Sequence, residues 1–258
     1  SLQAILEDLA KRFGSQIEET RTFNQNEIYL HTKLESVAAL CAHFYRKWQG
    51  RLINVFAEDE RERSGCYFVR YVFAVDAAHT FFIVRVPISP DQPEFTALTN
   101  AVHSVNWQER EIQDLFGLKL IGHPNPRRCA LHDDWPEVFP LRKDFDLHTQ
   151  LPPFTGERHK FRPVEGEGVF QVPVGPVHAG IIEPGHFRFQ CNGEEVLHLE
   201  IALGYQHRGI ETALAGGPHR ATLSQMETVA GDTTIGHATA YAMTLEALAG
   251  TEAPLRAQ

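Results

Sequence analysis

Apolar residues recur at helical spacing over residues 2–13 and 34–48 and predict two amphipathic helices. After residue 50 the pattern changes to short runs rich in β-branched and aromatic residues, at 52–56, 66–75 and 79–88. Such runs predict the strands of one sheet. The segment from about 96 to 116 returns to helical spacing, and helices and strands in this order, without strict alternation, predict an α+β domain.

Proline and glycine punctuate a polar stretch after residue 140 and predict an extended linker. Beyond it, the runs HFRFQ and EVLHLEIAL flank Asn192 and Gly193, a pair that favours a β-hairpin turn. Helical spacing resumes from about 218 to 249. The predicted organisation is an α+β sheet domain, the linker and a β-hairpin region leading into a helical bundle, at residues 1–147, 148–171 and 172–258.

The net charge of −9 on 258 residues excludes the nucleic-acid binders that rely on a basic face. No apolar run approaches the roughly 20 residues that span a bilayer, and the first residues lack the layout of a secretory signal. No two cysteines lie within three residues of each other, so the spacing predicts reduced thiols of a cytosolic protein and no iron–sulfur or structural zinc site. The cysteines are Cys41, Cys66, Cys129 and Cys191.

The segment 106–145 reads NWQEREIQDLFGLKLIGHPNPRRCALHDDWPEVFPLRKDF. Arg110 and Asp114 are four residues apart, the spacing of a favourable pair on one helix. Gly117 fits the C-cap of that helix. The remainder is a polar, proline-rich loop, which predicts an interaction surface, with a merely solvated charged loop as the alternative.

This segment closely resembles the signature of the C-type subunit of complex I, which runs ERExxDLFGI, GHPDxRR and PLRKDF. The resemblance implies an α+β sheet domain of the C type that binds no cofactor and scaffolds the neighbouring D-type subunit. It also implies structural and interface roles, not catalytic ones, for Glu109, Arg110, Glu111, Asp114, Arg127, Arg128 and Asp144.

A second motif lies at residues 172–211, where Glu183-Pro-Gly-His186 precedes a strand and His178 follows a Gly-Pro pair. A carboxylate and two histidines in a glycine-bearing loop can relay protons when partly buried. A β-hairpin with polar turn residues is the alternative. The pattern GPxH, EPGHFRF and GYxHRGIE resembles the start of the large subunit of energy-converting NiFe hydrogenases, including formate hydrogenlyase, and is similar to the start of the D-type subunit of complex I.

This second resemblance implies that Glu183 passes protons. It implies a quinone-facing histidine, with the choice between His178 and His186 left open. It places Arg208 beside the terminal iron–sulfur cluster of a neighbouring small subunit, where positive charge favours the reduced cluster.

The third motif, METVAGDTTIGHATAYAMTLEALAG, spans residues 226–250. NiFe hydrogenases carry a C-x-x-C-x-x-x-H pattern here, and soft thiolates are the reason that such a site holds nickel and iron. Ala230 and Thr233 stand at the two cysteine positions, and His237 matches on the same predicted helix face. The resemblance therefore predicts no NiFe centre. Gly231 stands where complex I has a quinone-binding tyrosine, and Asp232 and His237 serve either proton transfer or helix capping and packing.

Together, the motifs predict two fused units, as in formate hydrogenlyase, within a piece of a longer protein. The implied role is a peripheral subunit on the inner, cytoplasmic face of the cell membrane, which docks a small iron–sulfur subunit and membrane-arm subunits and supports electron and proton transfer. No cofactor is expected on this chain; the iron–sulfur cluster belongs to a partner, NADH to another subunit, and quinone is left open.

Two alternatives remain at this point. The first is a non-redox scaffold or coupling subunit that has lost its NiFe site. The second is a zinc enzyme that uses His123, Cys129 and His132, although the spacing lacks a second close pair. The isolated chain is expected to be inactive, because its cofactors lie in other chains.

Overall fold

The computed structural model describes residues 1–24, 26–132, 135–146, 148–153, 162–176, 183–251, 253, 254 and 256. The chain divides into two compact units, residues 1–157 and 158–258. Each unit has its own sheet and helices. The predicted α+β class is confirmed.

The first unit is built on a five-stranded sheet with the order β1-β2-β5-β4-β3. Strands β2 and β5 run parallel, and the other neighbours run antiparallel. A parallel pair, β6 and β7, lies outside this sheet. The elements are α1 (Leu2–Phe13), β1 (Ile17–Asn24), β2 (Glu27–Thr32), α2 (Val37–Lys47), β3 (Arg51–Glu60), α3 (Arg61–Ser64), β4 (Cys66–Val75), β5 (Thr80–Ile88), β6 (Glu94–Thr96), α4 (Asn106–Phe116) and β7 (Lys119–Ile121).

One face of the large sheet forms the hydrophobic core with the helices, because alternate side chains of each strand point to the same side. In β2 the buried positions alternate with half-exposed ones. Phe44 of α2 is fully buried, and its ring centroid lies 5.7 Å from that of Phe73 and 4.9 Å from that of Phe82. Burial of one such ring stabilises the fold by about 1.5–3 kcal/mol. Helix α2 therefore packs against the five-stranded sheet, and this contact stabilises the first unit.

The predicted helix at 96–116 is wrong in its first half. Helix α4 begins only at Asn106, and residues 94–96 form β6. The backbone N–H groups of Leu98 and Thr99 bond to the Glu109 side chain and not along a helix. Hydrogen bonds to the Glu109 side chain thus replace the helical hydrogen bonds that the spacing of apolar residues predicts here. The other predicted helices and strands of this unit are confirmed as α1, α2, β3, β4 and β5.

The described residues of the second unit form the antiparallel sheet β10-β9-β8 and three α-helices. The predicted hairpin is confirmed, with Asn192 paired to Glu195, so the loop residues are Gly193 and Glu194. Gly193 has φ 59°, a conformation that glycine adopts without strain. The elements are β8 (Val169–Val174), β9 (His186–Asn192), β10 (Glu195–Ala202), α5 (Ile210–Leu214), α6 (Thr222–Glu227) and α7 (Thr234–Ala249).

The helical stretch predicted at 218–249 is interrupted between α6 and α7. A 3-10 turn covers Gly231–Thr233, and Ala230 is extended with φ −147° and ψ 129°. The prediction that residues 230, 233 and 237 share one helix face is therefore wrong, because only 237 lies in a regular helix. Strand β8 begins at residue 169, inside the predicted linker. In the described part of the chain, no helix is long and apolar enough to cross a membrane.

Candidate functional site

In the first unit, two side chains of α4 hold the loop that follows β7. The Arg110 guanidinium donates to the carbonyl oxygens of Arg127 at 2.7 Å and Arg128 at 2.8 Å. One carboxylate oxygen of Asp114 accepts from three consecutive backbone N–H groups, at 2.8, 2.8 and 3.2 Å. The predicted Arg110–Asp114 pair is wrong in this respect: each residue bonds to the loop backbone instead. A charged group satisfies several backbone groups in this way, which orders a loop without secondary structure.

Glu109 lies on the same helix and is fully buried. Its carboxylate accepts from the N–H of Leu98 at 2.5 Å and from the hydroxyl of Thr99 at 2.5 Å. Burial raises the pKa of this carboxyl above its ordinary value, and these hydrogen bonds oppose the rise. His123 Nε2 is 3.9 Å from the carboxylate, and burial lowers the pKa of His123. Glu109 therefore fixes the turn before α4 from inside the core.

The PLRKDF segment is tied to the end of β3 through Arg61. The Arg61 guanidinium donates to Asp59 at 2.7 Å and to Asp144 at 2.8 Å. Asp59 also accepts from the N–H of Lys143 at 2.9 Å, while Arg142 Nε donates to the carbonyl oxygen of Phe116 at 2.7 Å. The Arg61 side chain holds the pKa of both aspartates below the ordinary range.

The remaining residues of this signature are more exposed. Glu111 is exposed on α4. Arg127 donates to the Asn125 side chain at 2.9 Å, and Arg128 donates to Glu137 at 3.3 Å. Glu109, Arg110, Asp114 and Asp144 thus have structural roles inside this chain. The interface roles of the signature residues stay a prediction.

In the second unit, Arg208 connects two of the predicted motifs. Its Nη2 atom lies 3.2 Å from Glu183 Oε1 and donates to the carbonyl oxygen of Val229 at 3.0 Å. Its Nη1 atom donates to the carbonyl oxygen of Thr228, the C-cap residue of α6. These carbonyls follow the last turn of α6, where an arginine satisfies acceptors that the helix leaves open. One side chain thus links the Glu183 loop to the turn that leads to Ala230.

Close packing explains the glycine of the Glu183-Pro-Gly-His186 sequence. A Cβ atom on Gly185 would lie 3.1 Å from Leu203 Cδ2 and 3.4 Å from a ring carbon of Phe187. The loop therefore lies directly against the end of β10. His186 is the first residue of β9 and pairs with Ala202. His178, the other predicted histidine, lies outside the described residues.

His237 stands in the first turn of α7 and bonds to Thr233. Its Nδ1 atom is 3.0 Å from the Thr233 carbonyl oxygen and 2.9 Å from the Thr233 hydroxyl. The carbonyl contact requires a proton on Nδ1, whereas a bond donated by the Thr233 hydroxyl requires an unprotonated Nδ1. Asp232 is exposed in the 3-10 turn that precedes α7. The arrangement provides a carboxylate, an imidazole and a hydroxyl within one short segment, a set that can accept and donate protons.

The residues at the two cysteine positions do not fit a NiFe centre. Ala230 has no donor atom in its side chain, and the Thr233 hydroxyl bonds to His237. Across the described residues, no group of three or more His, Cys, Asp or Glu side chains is placed to hold a metal ion. The described positions of His123, Cys129 and His132 therefore give the zinc alternative no support. The roles of Glu183, Arg208 and His237 in any chemistry of the second unit stay a prediction.

Sequence reasoning missed Arg61 and the carbonyls of Thr228 and Val229. Arg61 is 83 residues from Asp144, and no local spacing connects the two. Backbone acceptors carry no side-chain signal at all. The order of the second motif did indicate Glu183 and Arg208, but not that their side chains meet.

The comparisons with known proteins agree with these motifs. Residues 30–151 match the family described as respiratory-chain NADH dehydrogenase, 30 Kd subunit. Formate hydrogenlyase subunit 5 of Escherichia coli strain K12 is 34% identical over 91% of this chain and 42% of that protein. Hydrogenase-4 component G of the same strain is 32% identical over 99% of this chain and 47% of that protein. The fused C/D subunit of NADH-quinone oxidoreductase from Methylococcus capsulatus strain Bath is 26% identical over 99% of this chain and 48% of that protein.

The chain spans less than half the length of each of these three curated relatives. The resemblance that the motifs indicate is confirmed for both units, because the matched region extends over 91% of the chain or more. The chain therefore contains a domain of the respiratory-chain NADH dehydrogenase 30 Kd subunit family at residues 30–151, and its homologues are formate hydrogenlyase subunit 5, hydrogenase-4 component G and the fused C/D subunits of NADH-quinone oxidoreductase.

Proposed function

We propose that this chain is part of a peripheral subunit of a membrane-bound respiratory oxidoreductase. The subunit docks a small iron–sulfur subunit and membrane-arm subunits on the inner, cytoplasmic face of the cell membrane. The chain itself binds no redox cofactor; electrons come from the cluster of the iron–sulfur partner, and any NADH chemistry belongs to another subunit. The names of its relatives, which are subunits of such oxidoreductases, support this role.

The observation that carries the proposal is the Arg208 contact set. The guanidinium places a fixed positive charge between Glu183 and the turn before Ala230. A positive charge favours added negative charge nearby, which is the change that a reduced cluster brings. Glu183 is the carboxylate in contact with that charge, so we assign it to proton transfer. His178, His186 and His237 remain candidate members of the proton path or the quinone-facing surface.

A second candidate is a scaffold or coupling subunit without redox chemistry at this site. The replacement of both thiolate positions by Ala230 and Thr233 favours it, as does the hydrogen bond that occupies the Thr233 hydroxyl. In this case Arg208 and Glu183 only hold two segments together.

Two measurements on the native complex separate the candidates. Metal analysis comes first: iron without nickel is expected, and nickel at one per complex overturns the assignment of the cysteine positions. Cluster reoxidation by a soluble quinone is then followed in Glu183→Gln and in Glu194→Gln, an exposed turn residue of the same unit. A slower rate in Glu183→Gln alone supports the redox proposal. Equal rates in both variants overturn it in favour of the scaffold, and no quinone-dependent reoxidation in the wild type removes quinone from the proposal.

The isolated chain should turn over neither hydrogen nor NADH. All the residues that we assign to chemistry move or stabilise protons and charge, and none of them accepts an electron. Turnover by the purified chain, free of other subunits, would contradict this part of the proposal.

A further inference from the structure

The five-stranded sheet of the first unit has a second face, opposite the core. Side chains there come from the alternate positions that the core leaves out, such as Tyr29 and His31 of β2 beside the buried Ile28 and Leu30. Antiparallel sheets commonly leave one face to solvent and fill it with mixed polar residues. On this face, basic and aromatic side chains from four adjacent strands line one cavity, and four carboxylates contact them from outside its lining.

Three basic side chains stand in one row across the sheet. His31 of β2 is the register partner of Arg85 in β5, and Arg85 is the register partner of Arg70 in β4. Like charges directly opposite each other on neighbouring strands destabilise a sheet. Burial and then the charge of Arg85 lower the pKa of His31, and burial followed by Arg70 lowers the pKa of Arg85. Within the chain, ion pairs of Arg70 with Glu58 and of Arg85 with Glu60 offset part of this repulsion.

The row forms the floor of a cavity of about 270 Å³. Arg21 and Phe23 of β1 and Tyr29 of β2 complete its lining. The described residues offer Arg21 no hydrogen-bond partner, and the Nε atom of Arg85 is buried without one. A buried unpaired donor costs about 1–3 kcal/mol, more when it is charged. The exposed Arg21 guanidinium therefore offers open donors to an acceptor that enters the cavity, whereas Arg85 Nε is covered.

Four carboxylates border the cavity without filling it. Glu58 accepts one hydrogen bond from Arg70 at 2.7 Å, and Glu60 accepts one from Arg85 at 3.0 Å. Each guanidinium has five N–H donors, so each keeps others for a further anion. Glu19 lies 3.8 Å from His31, and Glu27 accepts from the Tyr29 hydroxyl at 3.5 Å.

An aromatic wall stands at one side of the basic row. Phe23 lies at a register shift of β1, between Thr22 and Asn24, and is 68% exposed. Its ring meets that of Tyr29 edge to face at 6.2 Å. Arginine, tyrosine and phenylalanine are enriched at protein–protein interfaces, and arginine and tyrosine are common among the residues that dominate the binding energy.

We propose that this cavity is a docking site for an acidic segment of a partner protein. A carboxylate side chain of the partner enters between Arg21, Arg70 and Arg85, and an apolar neighbour in the same segment packs on Phe23. The inference is independent of the redox role assigned to the second unit.

The test uses the full chain and a fluorescently labelled oligo-glutamate peptide that contains one phenylalanine, with binding followed by anisotropy. Arg21→Glu should weaken binding tenfold or more, because it removes the unpaired guanidinium and adds a repulsive charge. The matched control is Arg46→Glu, which makes the same change of charge at an exposed position of α2, and it should stay within about twofold of the wild type. Both positions are exposed, so both variants are expected to fold.

A second pair of variants leaves the charge unchanged. Phe23→Ala should weaken binding about fivefold, whereas Phe81→Ala, at a 42% exposed position outside the cavity lining, should not. Equal losses for Arg21→Glu and Arg46→Glu overturn the proposal in favour of a general charge effect. Displacement of the peptide by an equal concentration of inorganic phosphate overturns it in favour of a small-anion site. Failure of the wild type to bind the peptide overturns it outright.

Discussion

The Nη2 atom of Arg208 lies 3.2 Å from Oε1 of Glu183, and the same guanidinium bonds to the backbone of residues 228 and 229. The two segments that it connects are more than forty positions apart in the sequence. They are also the two segments to which the resemblance assigns proton transfer and the altered metal-ligand positions. A substitution of Arg208 should therefore lower the local stability of both segments.

The first prediction concerns this coupling. Arg208→Gln removes the ion pair and at least one of the carbonyl bonds, so local opening of residues 183–186 and 228–234 should become easier by roughly 1 kcal/mol, about fivefold in amide exchange. The expected effect stays small because both side chains are partly solvated. Hydrogen exchange followed by mass spectrometry measures both segments. Arg220→Gln, at an exposed position nearby in sequence, is the control. Faster exchange in only one of the two segments would contradict the coupling.

The second prediction concerns the proton on His237. Its Nδ1 atom faces a carbonyl oxygen, so the neutral ring should be the Nδ1–H tautomer. His219 is the internal control with the opposite arrangement. Its Nδ1 accepts from the N–H of Ala221 at 3.2 Å, so its proton should be on Nε2. Long-range nitrogen–proton NMR spectra distinguish the tautomers. The same tautomer at both positions would contradict the site geometry that we describe.

The sequence pattern predicts α1, α2, β3, β4 and β5, but it misses β2, whose buried positions alternate over only six residues. It fails for β1, whose letters IEETRTFN contain little apolar alternation because the strand lies at the edge of the sheet. It also fails at residues 96–105, where Glu109 of the following helix takes the backbone N–H groups that a helix would use. The failures at β1 and at residues 96–105 have the same cause, since the deciding partner lies elsewhere in the fold.

The candidate site follows the same rule. The motifs identify Glu183, Arg208 and His237 as chemically interesting, because charged residues recur there in a recognisable order. They do not predict that Arg110 and Asp114 turn to the loop backbone, since helical spacing favours a pair between them. They also suggest one helix face for 230, 233 and 237, whereas Ala230 lies in an extended turn. The spacing of residues in the sequence describes a single helix or strand, whereas the candidate site forms from contacts between separate elements.

The third prediction concerns acid stability at Arg61. Its guanidinium lowers the pKa of Asp59 and Asp144 in the folded state. A lowered folded pKa gives stability that is present above the ordinary aspartate value of about 3.9 and is lost as the pH falls through the folded value. Arg61→Gln should therefore cost about 2–3 kcal/mol at pH 7, because the buried Asp59 loses its charge partner. The difference from wild type should shrink as the pH falls below about 4.

Urea unfolding at neutral and acid pH measures this difference. Arg63→Gln removes an exposed arginine from the same short helix and should change stability by less than about 0.5 kcal/mol at either pH. If the cost of Arg61→Gln is the same at both pH values, the stabilisation does not come from the charge of the two aspartates.

The fourth prediction concerns Gly117, the C-cap of α4. Its φ of 68° lies in the left-handed region, and a Cβ atom there would approach ring atoms of Phe139 to 2.5 Å and Arg142 Nη2 to 2.7 Å. Gly65 has a φ of 76° at the C-cap of α3, but a Cβ atom there would meet nothing within 4 Å. A substitution at Gly65 therefore measures backbone strain alone, whereas one at Gly117 also measures the contact with the segment that contains PLRKDF.

Gly65→Ala should cost about 1 kcal/mol, the penalty for a left-handed residue with a side chain. Gly117→Ala should cost about 2–4 kcal/mol, because Phe139 and Arg142 must also move. Arg142 donates to the carbonyl oxygen of Phe116, so its displacement should release the segment from α4 as well. Urea unfolding gives the two costs, and limited proteolysis near residue 142 reports the release. Equal costs for both variants, with no new cleavage, would mean that the segment is not held against α4 by this contact.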